Sequence, residues 1–98
     1  MHVVIHHYVS HPTNWERTQK NIMSMIEEQR LPSGLKALVY LPSVDGRKAD
    51  CVWEADSVWA LRKFIDRETT GAARNEYFEV KDEAAIGLPK AEELARAA

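Results

Sequence analysis

Residues 35–55 read LKALVYLPSVDGRKADCVWEA, which is two apolar runs separated by the segment PSVDGR. Both runs are short and are bounded by turn-forming residues, as is typical of strands. Asp45 followed by Gly46 favours a tight reversal of the chain between them. We therefore predict a hairpin whose strands cover residues 35–41 and 48–55.

The segment before the hairpin predicts a strand followed by a helix. Residues 2–10, HVVIHHYVS, have strand composition and end close to Pro12, which suits the first turn of a helix. Thr13 lies three residues before Glu16, which is the spacing of a capping box, and apolar residues follow at helical intervals. The first helix is predicted to run to about Arg30.

The segment after the hairpin predicts a helix followed by a strand. Asp56 or Ser57 can cap the helix, and Gly71 ends it. Residues 74–80 have strand composition, and a short turn is expected near residues 82–86.

The element order β-α-β-β-α-β is that of the ferredoxin-like α+β sandwich, in which two helices cover one face of a four-stranded antiparallel sheet. Strands one and three are expected side by side in the centre, with strand four beyond strand one and strand two beyond strand three. A short C-terminal helix starting at Pro89 would follow. A chain of 98 residues is too short for two independent cores, so residues 1–98 are predicted to form one domain.

Composition argues against several classes of function. Thirteen basic and fifteen acidic side chains give a net charge of −2 and are spread along the chain, so we expect no nucleic-acid partner. No apolar run reaches the ~20 residues that span a bilayer, so we expect no membrane segment. Cys51 is the only cysteine and the N-terminus lacks the pattern of a secretory signal, which favours a cytoplasmic location.

Side chains alternate along a strand, so each strand has one side towards the helices and one on the open face, the sheet face that the helices leave uncovered. The residues assigned to the helix-facing side are Val3, Ile5, His7, Val9, Cys51, Trp53, Ala55, Phe78 and Val80. The residues assigned to the open face, together with Lys36 and Asp50, are Val4, His6, Tyr8, Leu38, Tyr40, Val52, Glu54, Asn75, Tyr77 and Glu79. This face is too apolar for exposure to water, so it predicts a homodimer whose two sheets enclose a ligand cavity.

Residues 51–66, CVWEADSVWALRKFID, followed by residues 75–80, NEYFEV, resemble the strand-helix-strand second half of the dimeric α+β-barrel superfamily. That superfamily includes stress-responsive A/B-barrel proteins, muconolactone-isomerase-like enzymes and antibiotic-biosynthesis-monooxygenase-like proteins, and the resemblance covers residues 2–80. It implies a homodimer with a ligand cavity between each sheet and the partner. It implies no catalytic motif, because the superfamily spans unrelated chemistries.

All four histidines lie in the first strand or just after it. His6 and His7 point to opposite faces, and His2 and His6 are ~13 Å apart along a strand, so no metal site is expected. If a metal ion were bound, its ligands would be His6 together with a carboxylate such as Glu54 or Glu79. The candidate catalytic pair is His6 as acid or base and Glu54 as the carboxylate that orients it.

The sequence leaves three functions open. The first is a protein that binds a small hydrophobic or aromatic molecule between the sheets of a homodimer, with Tyr8, Leu38, Tyr40, Val52, Asn75, Tyr77 and Glu79 as candidate ligand-binding residues. The second is an isomerase or monooxygenase that uses the His6 and Glu54 pair and no bound cofactor. The chain has no Gly-rich phosphate loop and no paired CxxC motif, which argues against the common nucleotide-binding and zinc-finger classes. The third is a structural or regulatory dimer. His7 and Cys51 are predicted to be structural.

Overall fold

The computed structural model describes residues 1–89, and its element order confirms the predicted ferredoxin-like α+β fold. The elements are β1 (His2–Val9), α1 (Pro12–Glu27), β2 (Leu35–Pro42), β3 (Lys48–Ala55), α2 (Val58–Glu68), β4 (Ala73–Glu79) and a 3₁₀ turn at Asp82–Ala84. The helix predicted from Pro89 onwards lies outside the described residues. Within those residues, neither helix is long and apolar enough to cross a membrane.

The four strands form one antiparallel sheet in the order β2-β3-β1-β4, which confirms that β1 and β3 are central. The register of β1 against β3 places His6 opposite Asp50 and His2 opposite Glu54. This register decides which side chains meet on the two faces, because a residue contacts its directly opposite and diagonal neighbours.

The core lies between the sheet and the helices. Val3 and Ile5 of β1 are fully buried, and they pack with Trp53 of β3 and with Leu61 and Ile65 of α2. A second, smaller cluster joins Trp15 of α1 to Ala49 and Ala72, near the ends of β3 and β4. The helix-facing assignments made for β1 and β3 are therefore confirmed.

The two helices begin with different caps. Ser57 caps α2 as predicted, since its hydroxyl accepts a hydrogen bond from the backbone N–H of Ala60 at 3.0 Å. The predicted capping box at Thr13 is wrong for α1. His11 is the cap instead, and its Nδ1 accepts from the backbone N–H of Asn14 at 3.2 Å, while Pro12 occupies the first helical position.

A β-bulge in β2 changes the face on which its second half lies. Ala37 pairs with Trp53 and Val39 pairs with Val52, the next residue along β3, so Leu38 has no partner in the ladder. Beyond the bulge, Tyr40 pairs with Cys51 and faces the helices. The assignment of Tyr40 to the open face is wrong, because strict alternation from Lys36 does not allow for an extra residue.

The assignment of faces in β4 is also wrong. Asn75, Tyr77 and Glu79 pair with the helix-facing residues of β1, whereas Phe78 pairs with Val4 on the open face and is 49% exposed. The polar groups of Asn75 and Tyr77 find partners on α2: Asn75 Nδ2 donates to Asp66 at 3.0 Å and the Tyr77 hydroxyl donates to the same carboxylate at 2.6 Å. Because those hydrogen bonds provide partners for the polar atoms of two partly buried residues, this side of β4 faces the helices despite its lower hydrophobicity.

Candidate functional site

The helix-side cavity, a space of about 230 Å³, lies between α1 and the sheet. It exists because α1 stands farther from the sheet than α2, which packs directly on β3 and β4. Trp15 and Thr18 are the buried residues of α1, and Ile22 and Met25 pack against the core while partly exposed, so space remains above β2 and β3. The cavity is lined by His7, Trp15, Thr18, Gln19, Ile22, Met23, Ile26, Ala37, Leu38, Val39, Tyr40, Cys51, Trp53 and Ile65.

The walls of this cavity are mostly apolar and aromatic. Ile22, Met23 and Ile26 come from successive turns of α1, and Trp53 and Ala37 come from the opposing strands. The β-bulge contributes here too, since its unpaired residue, Leu38, lines the cavity instead of extending the open face. Leu38 was predicted to be a ligand-binding residue of the open face, and it lies at a different site.

One polar pair of the cavity lining connects α1 to β2. The hydroxyl of Tyr40 donates a hydrogen bond to Oε1 of Gln19. Partial burial raises the pKa of Tyr40, which keeps its hydroxyl protonated and able to donate at neutral pH. The pair therefore presents neutral hydrogen-bonding groups beside the apolar walls.

A second polar group lies on the sheet side of the cavity. Nε2 of His7 is 3.0 Å from Sγ of Cys51, and Nδ1 of His7 is 2.7 Å from Oδ1 of Asn75. Both His7 and Cys51 are buried, at 4% and 5% exposure. Burial lowers the pKa of His7 in spite of its hydrogen bond to Asn75, and burial raises the pKa of Cys51 to about 12. Both groups are therefore neutral at pH 7.

The open face has a different character. Nδ1 of His6 is 2.5 Å from Oδ1 of Asp50, and the His6 ring lies against Phe78 with 5.8 Å between ring centroids. At one end of the same face, the guanidinium of Arg74 lies 4.3 Å from the centroid of the Tyr8 ring. His6, Tyr8 and Asp50 help to line a depression of about 430 Å³ that is more open to solvent than the helix-side cavity.

The predicted pair of His6 and Glu54 is wrong in its geometry. Glu54 lies opposite His2 and four residues from Asp50 along β3, which corresponds to roughly 13 Å on a strand. Asp50 is therefore the carboxylate that contacts His6. The role predicted for His6 in proton transfer stays a prediction.

The structure divides the predicted site residues between the two faces of the sheet. His6, Tyr8, Val52 and Glu54 lie on the open face as expected. Tyr40, Asn75, Tyr77 and Glu79 lie on the helix-facing side. The ten residues assigned to one face therefore do not form one site.

The contact between His7 and Cys51 is the main feature that sequence reasoning missed. Both residues were assigned to the helix-facing side. Their distance from each other depends on the pairing register of β1 with β3, which the alternation of side chains along each strand does not define. The observed register pairs Cys51 with Ile5 and Ala49 with His7, so the thiol and the imidazole are diagonal neighbours on one face.

Comparisons with known proteins bear on the fold. No protein-family model matches the chain, and no curated protein matches it significantly. Among solved structures, that of Rv0793 from Mycobacterium tuberculosis is similar, with a TM-score of 0.52 and 19% sequence identity. The similarity covers 86% of this chain and 98% of that chain. At this level of identity it supports the α+β fold alone.

Proposed function

We propose that the protein binds a small, largely apolar molecule in the helix-side cavity. The observation that carries this proposal is the cavity itself: apolar side chains of α1, β2 and β3 line about 230 Å³ that is partly open to solvent, and a few polar residues belong to the same lining. Ligand sites in proteins typically combine hydrophobic walls with a small number of placed hydrogen-bonding groups.

The volume limits the size of the ligand. An apolar cavity of ~150 Å³ is large enough to hold benzene, so about 230 Å³ accommodates a single six-membered ring with small substituents. The polar groups limit its orientation. Gln19 and Tyr40 on one side, and His7 and Cys51 on the other, can each direct one oxygen or nitrogen of a ligand. The proposed ligand class is therefore a monocyclic compound with one polar substituent.

We also propose that the protein is a homodimer of the dimeric α+β-barrel type, formed through the open face. Phe78 is half-exposed there, and Leu41 is exposed beside the central strands. Burying these side chains against a second copy would remove apolar surface from water. The open face then serves assembly, and the helix-side cavity of each protomer serves ligand binding.

Cyclohexanone is a suitable probe, because it is a six-membered ring with one hydrogen-bond acceptor. We expect saturable chemical-shift changes in ¹H–¹⁵N spectra of the full chain for residues that line the helix-side cavity. The variant Ala37→Leu fills part of the cavity, so its affinity for cyclohexanone should fall at least about tenfold.

The matched control is Ala84→Leu, which adds the same atoms at an exposed position in the 3₁₀ turn. Its affinity for cyclohexanone should equal that of the natural chain. Equal binding by Ala37→Leu and the natural chain would rule out the helix-side cavity as the site.

A further inference from the structure

We propose that Cys51 is a nucleophile that adds to small conjugated carbonyl compounds in the helix-side cavity, with His7 as its general base and Asn75 as the residue that positions His7. This inference rests on the proposed function, because the electrophile has to enter the same cavity. Cys51, His7 and Trp53 all line it. The side chains form a Cys-His-Asn arrangement, in which a base contacts the nucleophile and a third group orients the base.

The hydrogen bonds around Asn75 determine which atom of His7 carries the proton. The hydroxyl of Thr69 donates to the backbone carbonyl of Ile65 at 2.8 Å, so its oxygen accepts from Nδ2 of Asn75, also at 2.8 Å. Nδ2 of Asn75 donates to Asp66 as well. The amide nitrogen of Asn75 therefore faces α2, and its oxygen Oδ1 faces His7.

The orientation of the amide has a direct consequence for the imidazole. Oδ1 of Asn75 is an acceptor, so Nδ1 of His7 carries the hydrogen and donates it across the 2.7 Å contact. In a neutral imidazole the other nitrogen is then an acceptor. Nε2 of His7 therefore accepts from the thiol of Cys51 at 3.0 Å, which is the arrangement a general base needs.

Trp53 completes the surroundings of the sulfur. Its Nε1–H donates to Sγ of Cys51 at 3.2 Å. The indole hydrogen bond stabilises negative charge on the sulfur as the S–H bond breaks. The hydrogen bonds to Trp53, as donor, and to His7, as acceptor, thus fix the position of Sγ beside the cavity.

The proposed step is a conjugate addition. Sγ of Cys51 attacks the β-carbon of an α,β-unsaturated carbonyl compound and forms a C–S bond, while the S–H proton moves to Nε2 of His7. The electron pair of the C=C bond moves to give an enolate. His7 then returns the proton to the α-carbon, so the product is a neutral thioether and the imidazole is neutral again. No leaving group and no further reactant is required.

The apolar walls favour this class of electrophile over alkylating agents. A displacement reaction would release a charged leaving group into an apolar space, which is energetically costly. An addition releases nothing and ends with a neutral adduct. Cyclohex-2-en-1-one, a six-membered ring with one carbonyl group, fits a space of about 230 Å³.

The protonation states of the two groups are compatible with this step at neutral pH. The pKa of Cys51, about 12, means that the sulfur is a thiol, so its reactivity depends on a base. The lowered pKa of His7 leaves Nε2 unprotonated at neutral pH but weakly basic, so the thiol proton moves to it as the C–S bond forms and not before. The ionisable groups around His7 are Cys51, Asp50 and His6 on the sheet, and Asp66 of α2 beyond Asn75.

The test is to incubate the full chain with cyclohex-2-en-1-one and follow the adduct by intact mass spectrometry, with peptide mapping to locate it. We expect one adduct per chain, on Cys51. The second-order rate constant should be level between pH 7 and 9 and fall below pH 6.5, as His7 becomes protonated. A thiol that reacts only as its free thiolate would instead show an increase of about tenfold per pH unit.

Two histidine variants provide the comparison. His7→Gln should lower the rate constant roughly 100-fold, which is the size of a general-base contribution. His2→Gln changes a histidine on the opposite face of β1 that contacts Asp82, so it should leave the rate within about twofold of the natural chain. If His7→Gln does not fold, the pH profile of the natural chain remains a complete test.

The outcomes separate this inference from the proposed function. Adduct formation on Cys51 with the level pH profile supports the inference. Saturable binding of cyclohexanone without any adduct from cyclohex-2-en-1-one overturns the inference and leaves the proposed function standing. If neither compound interacts with the chain, both are overturned. An adduct whose rate rises steadily with pH overturns the role of His7.

Discussion

Strand alternation placed His7 on the helix-facing side of β1, and its burial confirms that assignment. The same rule failed at Tyr77 and Phe78, where the less hydrophobic tyrosine faces the helices and the phenylalanine faces outwards. Residue hydrophobicity could not predict this inversion, because the acceptor that satisfies the tyrosine hydroxyl, Asp66, lies on another element. The face on which a strand residue lies is thus predictable when apolar packing determines it. It is not predictable when a hydrogen-bond partner on another element determines it.

Buried His7 should make stability depend on pH in a defined direction. Its pKa is lowered from 6.5 by burial, so between its folded and unfolded values the unfolded chain binds a proton that the folded chain does not. The contribution of His7 to the free energy of unfolding is therefore largest above about pH 6.5. It decreases as the pH falls, by up to about 1.4 kcal/mol per pH unit.

Urea unfolding at several pH values between 5 and 7.5 measures this dependence. The slope of the free energy of unfolding against pH should be smaller in His7→Gln than in the natural chain, while the contributions of all other groups are shared by both proteins. Identical slopes would mean that His7 is protonated in the folded protein as readily as in the unfolded chain.

Among the elements, β1 and β3 were predicted with both faces correct, because one alternate set in each strand is clearly more apolar. β2 was predicted at its correct position but with its second half on the wrong face, since Leu38 is an extra residue. A bulge of this kind cannot be recognised from the sequence of a strand in which the side chains of both faces are largely apolar. The site that depends on it, with Tyr40 turned towards Gln19, was therefore not predictable.

The pairing around the bulge predicts the effect of deleting Leu38. Its neighbours already pair with consecutive residues of β3, Trp53 and Val52, so the deletion should leave a regular ladder with Tyr40 still opposite Cys51. We expect a folded protein that loses about 1 kcal/mol, from the lost burial of one half-buried side chain. Interstrand nuclear Overhauser effects between Tyr40 and Cys51 would check the register.

Deletion of Leu41 is the control for this experiment. Leu41 has a partner in the ladder, Asp50, so its removal should shift Pro42 and the hairpin loop out of register and cost more stability. If the Leu38 deletion turned Tyr40 to the open face, Leu38 would not be the extra residue of the ladder, which would contradict the pairing described for the bulge.

For the whole molecule, the order of elements was sufficient to predict the strand order and the single layer of helices. The helix-side cavity was not predictable, because it results from the distance between α1 and the sheet, and amphipathic periodicity contains no information about that distance. The proposed dimer forms through the open face, and the sequence identified only some of the apolar residues there. Val4 and Val52 were assigned to it correctly, whereas Phe78 was assigned to the helix-facing side.

The proposed homodimer predicts a mass near twice 11.2 kDa in sedimentation at micromolar concentration. Phe78→Glu places a charge on the open face, so it should shift the protein to the monomer. Trp59→Glu also replaces an exposed aromatic residue by a charged one, but on α2 and away from the open face. It should leave the dimer intact. A natural chain that sediments as a folded monomer would contradict the proposal.

In the proposed function, an apolar ligand enters the helix-side cavity and not the space next to the open face. Isotope-filtered nuclear Overhauser spectra of the chain with bound cyclohexanone test it most directly, because they report which methyl groups lie within a few ångströms of the ligand. We predict contacts to methyl groups of Ile22, Ile26 and Leu38. Contacts to Val4 and Val52 on the open face, with none to α1, would contradict it.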